Sequence, residues 1–212
     1  LFEFFEGGLY PAGATYAASD DGIHFKPARK LFHATENPSV FNSESGKLRL
    51  FSGYDANGFS NGIWESGDDM VFHPVRNNFP PSGESSFMGN SMDCPSYFSW
   101  HGWHYLIVGF TGMWRAKDEN FSEPEDVAAQ GLDIYDGLNV PMVASFKGDR
   151  RILAGWIGMD LWGGLLALRE LVWSDDGIPG IKWLEEVLPA RKDAKRLSAS
   201  THGTAVRTPS NS

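Results

Sequence analysis

The sequence predicts an all-β chain assembled from four-stranded antiparallel units of the β-propeller type. Three observations lead there: a proline, strand, glycine, strand frame that occurs three times, an Asp-rich hairpin pattern that follows it, and no stretch in which a helical period outcompetes these. The frame is carried by NPSVFNSESGKLRLFSG at 37–53, CPSYFSWHGWHYLIVG at 94–109 and VPMVASFKGDRRILAG at 140–155. Pro38 to Gly46 is 8 positions, while Pro95 to Gly102 and Pro141 to Gly148 are 7 each; Gly53, Gly109 and Gly155 then follow a further 7 positions on. In each copy an apolar or alternating run meets a glycine-containing turn and resumes as a second run (LRLF, HYLIV, RILAGW), which is the pattern of a β-hairpin.

The outer half of each unit is read from YAASDDGIHFKPA (16–28), WESGDDMVFHPV (64–75) and, less clearly, VWSDDGIPGIKWLEEV (172–187). Here an aromatic strand runs into an Asp-rich turn and returns as a strand, so Asp20, Asp21, Asp68 and Asp69 are expected in turns. Pro38 and Pro95 lie 57 positions apart and Pro95 and Pro141 lie 46 apart, about the length of one four-stranded blade. Residues 163–171 (GGLLALREL) could be taken for a helix, but they fall where the repeat requires a strand and Gly163-Gly164 suits a strand start. Two and a half to three blades do not close a ring that needs about 4 to 8. The sequence is therefore expected to hold an incomplete propeller domain at 1–189, lacking its first blade, and a linker or disordered tail at 190–212.

Composition narrows the ligands. A formal net charge of -9 opposes binding to nucleic acid, whose phosphates need a basic surface, and favours a neutral partner such as a carbohydrate. No apolar run has the roughly 18 residues that span a bilayer, so no membrane partner is expected. The chain opens on Leu1, which suggests a processed product or a fragment and leaves cellular location open, and its single cysteine, Cys94, is expected to be a small buried residue rather than a nucleophile. The six histidines show no metal-ligand spacing; His101 and His104 are expected on one strand, facing opposite sides of the sheet. No metal or other cofactor is expected. The tryptophans at 64, 100, 103, 114, 156, 162, 173 and 183 are expected mostly in blade packing, with Trp100, Trp114 and Trp156 available as sugar platforms.

In a propeller the innermost strands line a central channel, so polar residues just ahead of the inner-strand prolines would converge from different blades. These are Glu36 and Asn37, Asp93 beside Cys94, and the segment from Asp133 to Asn139. Carboxyls and amides gathered in this way suit a sugar, because a glycosidic bond needs one carboxyl to protonate the leaving oxygen and another to attack or stabilise the oxocarbenium-like centre.

GLDIYDGLNVPMVASFKGDRRILAGWIG followed by GGLLALRELVWSDDG resembles the glycoside hydrolase family 32 pattern of Asp-Phe-Tyr-Ala, Gly-Arg-Arg-Ile-Leu-x-Gly-Trp-Met-Gly and Leu-x-x-Pro-Arg-Glu-Leu. MDCPSYF resembles that family's Glu-Cys-Pro motif and ENPSVF its Arg-Asp-Pro motif, and the resemblance extends over about 15–189. It implies a five-bladed propeller that cleaves β-fructofuranosides or a related glycan with retention. It also implies Asp93 as general acid/base, Asn37 at the position of the transition-state-stabilising carboxylate, and Glu36, Asp133, Tyr135 and Trp156 as substrate-binding residues. The sequence departs from the family at two of these: Asp93 stands for Glu, one methylene shorter, and Glu36-Asn37 stands for Arg-Asp. The nucleophile's motif is absent and is expected upstream of Leu1, so this chain by itself is expected to be inactive. The alternative is a non-catalytic carbohydrate-binding propeller whose acids have drifted; a propeller phosphorylase would need a cationic phosphate site that Glu36 does not supply.

Overall fold

The computed structural model describes residues 2–4, 13–32, 38–52, 62–68, 71–80, 94–108, 112–127, 137–159 and 161–187. Its strands form four antiparallel sheets in which each strand pairs with the next in the chain. The first sheet contains β1 (Phe2–Phe4), β2 (Gly13–Ala18) and β3 (Lys26–Phe32). The second contains β4 (Ser39–Asn42), β5 (Leu48–Ser52), β6 (Gly62–Ser66) and β7 (Phe72–Asn77). The third runs β8 (Pro95–Trp100), β9 (Trp103–Val108), β10 (Gly112–Ala116) and β11 (Glu125–Asp126), and the fourth β12 (Leu138–Phe146), β13 (Arg150–Met159), β14 (Leu161–Val172) and β15 (Gly180–Trp183). Four-stranded meanders of this kind are propeller blades. Among the described residues the only helix is a single 3-10 turn at Glu185–Val187, and no helix is long and apolar enough to cross a membrane.

The repeat read from sequence is the hairpin of strands one and two in each four-stranded blade. Its glycines, Gly46, Gly102 and Gly148, all sit at positive φ (80°, 73° and 77°), which is why the turn needs glycine there. In the tightest of the three, His101 and Gly102 alone join β8 to β9, with φ of 47° and 73°, a two-residue loop of the primed type that matches strand twist. The Asp-rich pieces form the hairpins β2–β3, β6–β7 and β14–β15. Asp21 shows why Asp recurs there: one carboxylate oxygen accepts the amides of Ile23 at 2.9 Å and His24 at 2.7 Å, closing the turn on itself. The segment 163–171 is strand throughout, inside β14.

The third sheet is buried on both faces, and its sequence reflects this. Along β9, Tyr105 and Ile107 pack with Phe98, Met113, Leu138, Leu153 and Leu171 against the fourth sheet, while Leu106 and Val108 pack with Phe51, Ile63, Phe79 and Phe121 against the second. A strand with two apolar faces reads as a continuous run, here WHYLIV, rather than an alternation. Each such fully buried side chain contributes about 1.5–3 kcal/mol by removal from water. Polar groups join the same sheets. Arg49 on β5 donates from Nε to Glu65 at 2.7 Å and from Nη1 to Asn120 at 2.8 Å, and the same Nη1 lies 2.9 Å from Glu119 in the loop after β10. The Tyr105 hydroxyl donates to the Gly177 carbonyl at 2.8 Å and Trp100 Nε1 to the Asp149 carbonyl at 3.0 Å.

Two expectations are corrected. His101 is not on a strand: it occupies the β8–β9 turn, because the hairpin there needs two residues in left-handed conformation, so the two-residue alternation that would have opposed it to His104 stops before it. Trp183 does not pack inside a blade but is 54% exposed on edge strand β15, its ring covered instead by the Arg169 guanidinium 3.6 Å from its centroid.

Candidate functional site

The inner strands β4 and β8 begin beside or at a proline of the repeat and β12 carries Pro141 as its fourth residue, and a pair of equivalent hydrogen bonds sets them level. Ser39, the residue after Pro38, accepts the amide of Tyr97, two residues after Pro95, at 3.1 Å. Ser96, the residue after Pro95, accepts the amide of Val143, two residues after Pro141, at 3.0 Å. The reason is the free edge: an innermost strand pairs with its neighbour on one side only, so the amides on its channel side need an acceptor. The preceding blade supplies a serine hydroxyl, half-buried at Ser39 and buried at Ser96. In the third copy the serine position is Met142.

The chain reaches this rim through a sharp bend. Cys94 and Val140, each immediately before its proline, share a left-handed backbone, with φ of 46° and 47°. For the β-branched Val140 this conformation is strained, by roughly 1–3 kcal/mol, and the register of β12 against β13 slips between Asn139 and Met142 in the same place. Close approach makes Gly155 necessary opposite the bend, since a Cβ there would lie 2.8 Å from the Asn139 carbonyl oxygen and 3.3 Å from Leu138 Cβ. Cys94 is buried, in keeping with a small packing residue.

Of the residues predicted to form the site, Trp156 is described. It lies on β13 across from Asn139 on one side and Leu166 on the other, at the level of the rim and half-buried. Strand alternation puts it with Ile152 and Ala154, on the face opposite Leu153, which packs towards the third sheet. Glu36, Asn37, Asp93, Asp133 and Tyr135 lie outside the described residues, as do the tail at 190–212 and Trp162's side chain. Trp100 is buried and near-perpendicular to Trp173, and it also contributes to the lining of the cavity between the β4–β5 and β8–β9 turns; Trp114 is half-buried and near-perpendicular to Phe79. No group of three or more His, Cys, Asp or Glu side chains able to hold a metal ion occurs among the described residues.

The described cavity is at the other end of the inner strands, where the β4–β5 and β8–β9 turns meet. It measures ≈ 460 Å³ and is lined by residues that include Asn42, Glu44, Tyr97, Ser99, His104 and Arg151. Sequence reading missed it because its walls come from three sheets. Within it the Tyr97 hydroxyl lies 2.7 Å from His104 Nδ1, and burial, with smaller contributions from Glu119 and Glu44, holds the phenol well above its ordinary pKa.

No family model matches the chain, and no curated protein matches its sequence. Solved structures do match its fold. An exo-1,5-α-L-arabinanase from a bovine ruminal metagenomic library superposes with a TM-score of 0.53 at 14% identity, over 75% of this chain and 63% of that one. The fold is that of β-propeller glycoside hydrolases. A glycoside hydrolase family 32 β-fructofuranosidase from Bombyx mori gives 0.53 at 16% identity, over 82% of this chain and 44% of that one. A xylan β-1,4-xylosidase from Bacillus halodurans C-125 gives 0.52 at 13% identity, over 82% and 40%. This propeller chain thus spans between 40% and 63% of the length of these structures.

Proposed function

We propose that this chain is part of a glycoside hydrolase of the family 32 type, hydrolysing O-glycosidic bonds of a β-fructofuranoside or related glycan by a retaining two-carboxylate mechanism. The observation that carries the reading is the level setting of the inner strands by the Ser39 and Ser96 hydroxyls. It supports convergence of the residues just ahead of Pro38, Pro95 and Pro141 on one rim, where the sequence supplies Glu36-Asn37, Asp93 and the segment from Asp133. The likeness to an arabinanase, a xylosidase and a fructofuranosidase supports the same substrate class, a glycan of five- or six-carbon sugars.

In this reading Asp93 protonates the leaving oxygen and then activates water as base. Asn37 holds a sugar hydroxyl as a neutral amide, Glu36, Asp133 and Tyr135 wall the pocket, and Trp156 offers an indole face to the ring. The carboxylate that attacks the anomeric carbon is assigned to no residue of this sequence. The test is release of reducing sugar from sucrose, arabino-oligosaccharides and xylo-oligosaccharides by protein expressed from its own gene. Asp93→Asn is expected to lower turnover by about 10²–10⁴-fold. Unchanged turnover would remove Asp93 from the mechanism.

A second reading, a non-catalytic carbohydrate-binding propeller, is favoured by one observation: both positions that the family fills with its acid/base and its stabilising carboxylate are altered, to Asp93 and Asn37. Saturable sugar binding without hydrolysis by the same protein would select it.

A further inference from the structure

The cleft at the turn end of the inner strands has the chemistry of a binding site in its own right. Its floor holds His104, a buried imidazole on β9 whose two nitrogens are used unequally. Nδ1 lies 2.7 Å from the Tyr97 hydroxyl, and in the tautomer protonated at Nε2 the phenol donates to Nδ1. In that tautomer Nε2 carries the N–H, and its neighbour is a carboxylate oxygen of Glu44 at 3.8 Å, too far for a hydrogen bond. An oxygen placed about 2.8 Å from each, to the cleft side of the line that joins them, would accept from His104 and donate to Glu44. Around this gap stand two more exposed polar side chains, the Asn42 amide and the Ser99 hydroxyl, for which no protein partner is found among the described residues.

The lining also says which ligands do not fit. The exposed Glu44 carboxylate opposes an anion, while Glu119 is held by Arg49 at 2.9 Å; the Arg151 guanidinium on the wall opposes a cation, and metal-ligand groups are lacking among the described residues. What remains is a neutral molecule rich in hydroxyls. At ≈ 460 Å³ the cleft is within the range of about 300–1,000 Å³ typical of small-ligand sites.

We propose that this cleft is a second carbohydrate-binding site, on the turn face of the propeller and separate from the rim of the inner strands, which holds a single sugar residue by a hydroxyl bridged between His104 Nε2 and the Glu44 carboxylate. The proposal goes beyond the catalytic reading and does not depend on it. A glycan held here would be retained by the protein while another part of it is presented elsewhere.

The test is an NMR titration of the His104 ring resonances with D-xylose, L-arabinose and D-fructose, and with inorganic phosphate as the charged control. Saturable shifts with at least one sugar, at a Kd of about 1–10 mM, are expected. Glu44→Gln removes a charged acceptor from an exposed side chain while its backbone amide still donates to Glu119 at 2.9 Å, so the fold is kept. It should weaken binding roughly tenfold. Asn42→Ala, also on the surface, should weaken it less, and Asp93→Asn should leave it unchanged, which separates this site from the rim. Absence of any sugar-dependent shift at His104, an equal affinity in Glu44→Gln, or a stronger response to phosphate than to sugars would overturn the proposal.

Discussion

Replacing Ser96 by alanine tests the feature on which the arrangement of the blades depends. Ser96 is 2% exposed and its hydroxyl accepts the Val143 amide at 3.0 Å across the joint between the third and fourth sheets. Alanine keeps the strand and leaves that amide on the channel edge of β12 without its acceptor. Loss of the bond with the donor left unsatisfied costs about 1–3 kcal/mol. For a chain of this size that corresponds to a fall in Tm of about 2–4 °C per kcal/mol. Chemical denaturation gives the energy, and amide hydrogen exchange gives its location: protection of Val143 should fall, while that of the Tyr97 amide, held by Ser39 at 3.1 Å, should not. Ser39→Ala should show the converse, and since the Tyr97 amide that Ser39 accepts belongs to the peptide bond with Ser96, the double variant measures how far the two joints are coupled. Undiminished protection at Val143 in Ser96→Ala would show that the serine does not hold the blade, and the argument for a level rim would fail with it.

Gly155→Ala brings a Cβ to 2.8 Å from the Asn139 carbonyl oxygen, a backbone atom that cannot swing away, and should destabilise the protein by about 1–3 kcal/mol in equilibrium denaturation; a neutral result would mean that β12 shifts freely at its bend. Acid should act through two carboxylates. Hydrogen bonding from Arg49 lowers the pKa of Glu65, and hydrogen bonding from Arg150 lowers that of Glu170, both below 4.5. A depressed carboxylate binds fewer protons folded than unfolded, so its stabilisation is complete above 4.5 and is lost as pH falls through the folded value. Glu65→Gln and Glu170→Gln should each flatten the acid limb of Tm against pH, and an unchanged slope in both would assign acid unfolding to other groups.

Much of the architecture was legible because it is local. The proline, strand, glycine, strand frame and the Asp-rich turns are set by backbone conformations that few residues adopt, such as the positive φ at Gly46, Gly102 and Gly148, and the chain order of the strands follows from short hairpins. The same reasoning misplaced His101, because a turn one residue longer or shorter exchanges strand for loop without changing the apolar pattern. The positions before Pro95 and Pro141 were legible as equivalent, and Cys94 and Val140 do share a left-handed backbone, but the heights of their strands were not legible.

Sequence by itself determined that the chain is all-β and that its hairpins repeat, since periodicity and turn chemistry are properties of neighbouring residues. Only the tertiary structure decided which groups meet. Ser39 reaches Tyr97 across 58 positions, Ser96 reaches Val143 across 47, and Glu119 accepts the amide of Glu44 across 75. These partners are chosen by the packing of one twisted sheet on the next, which fixes the relative height of the strands. No local propensity encodes that height.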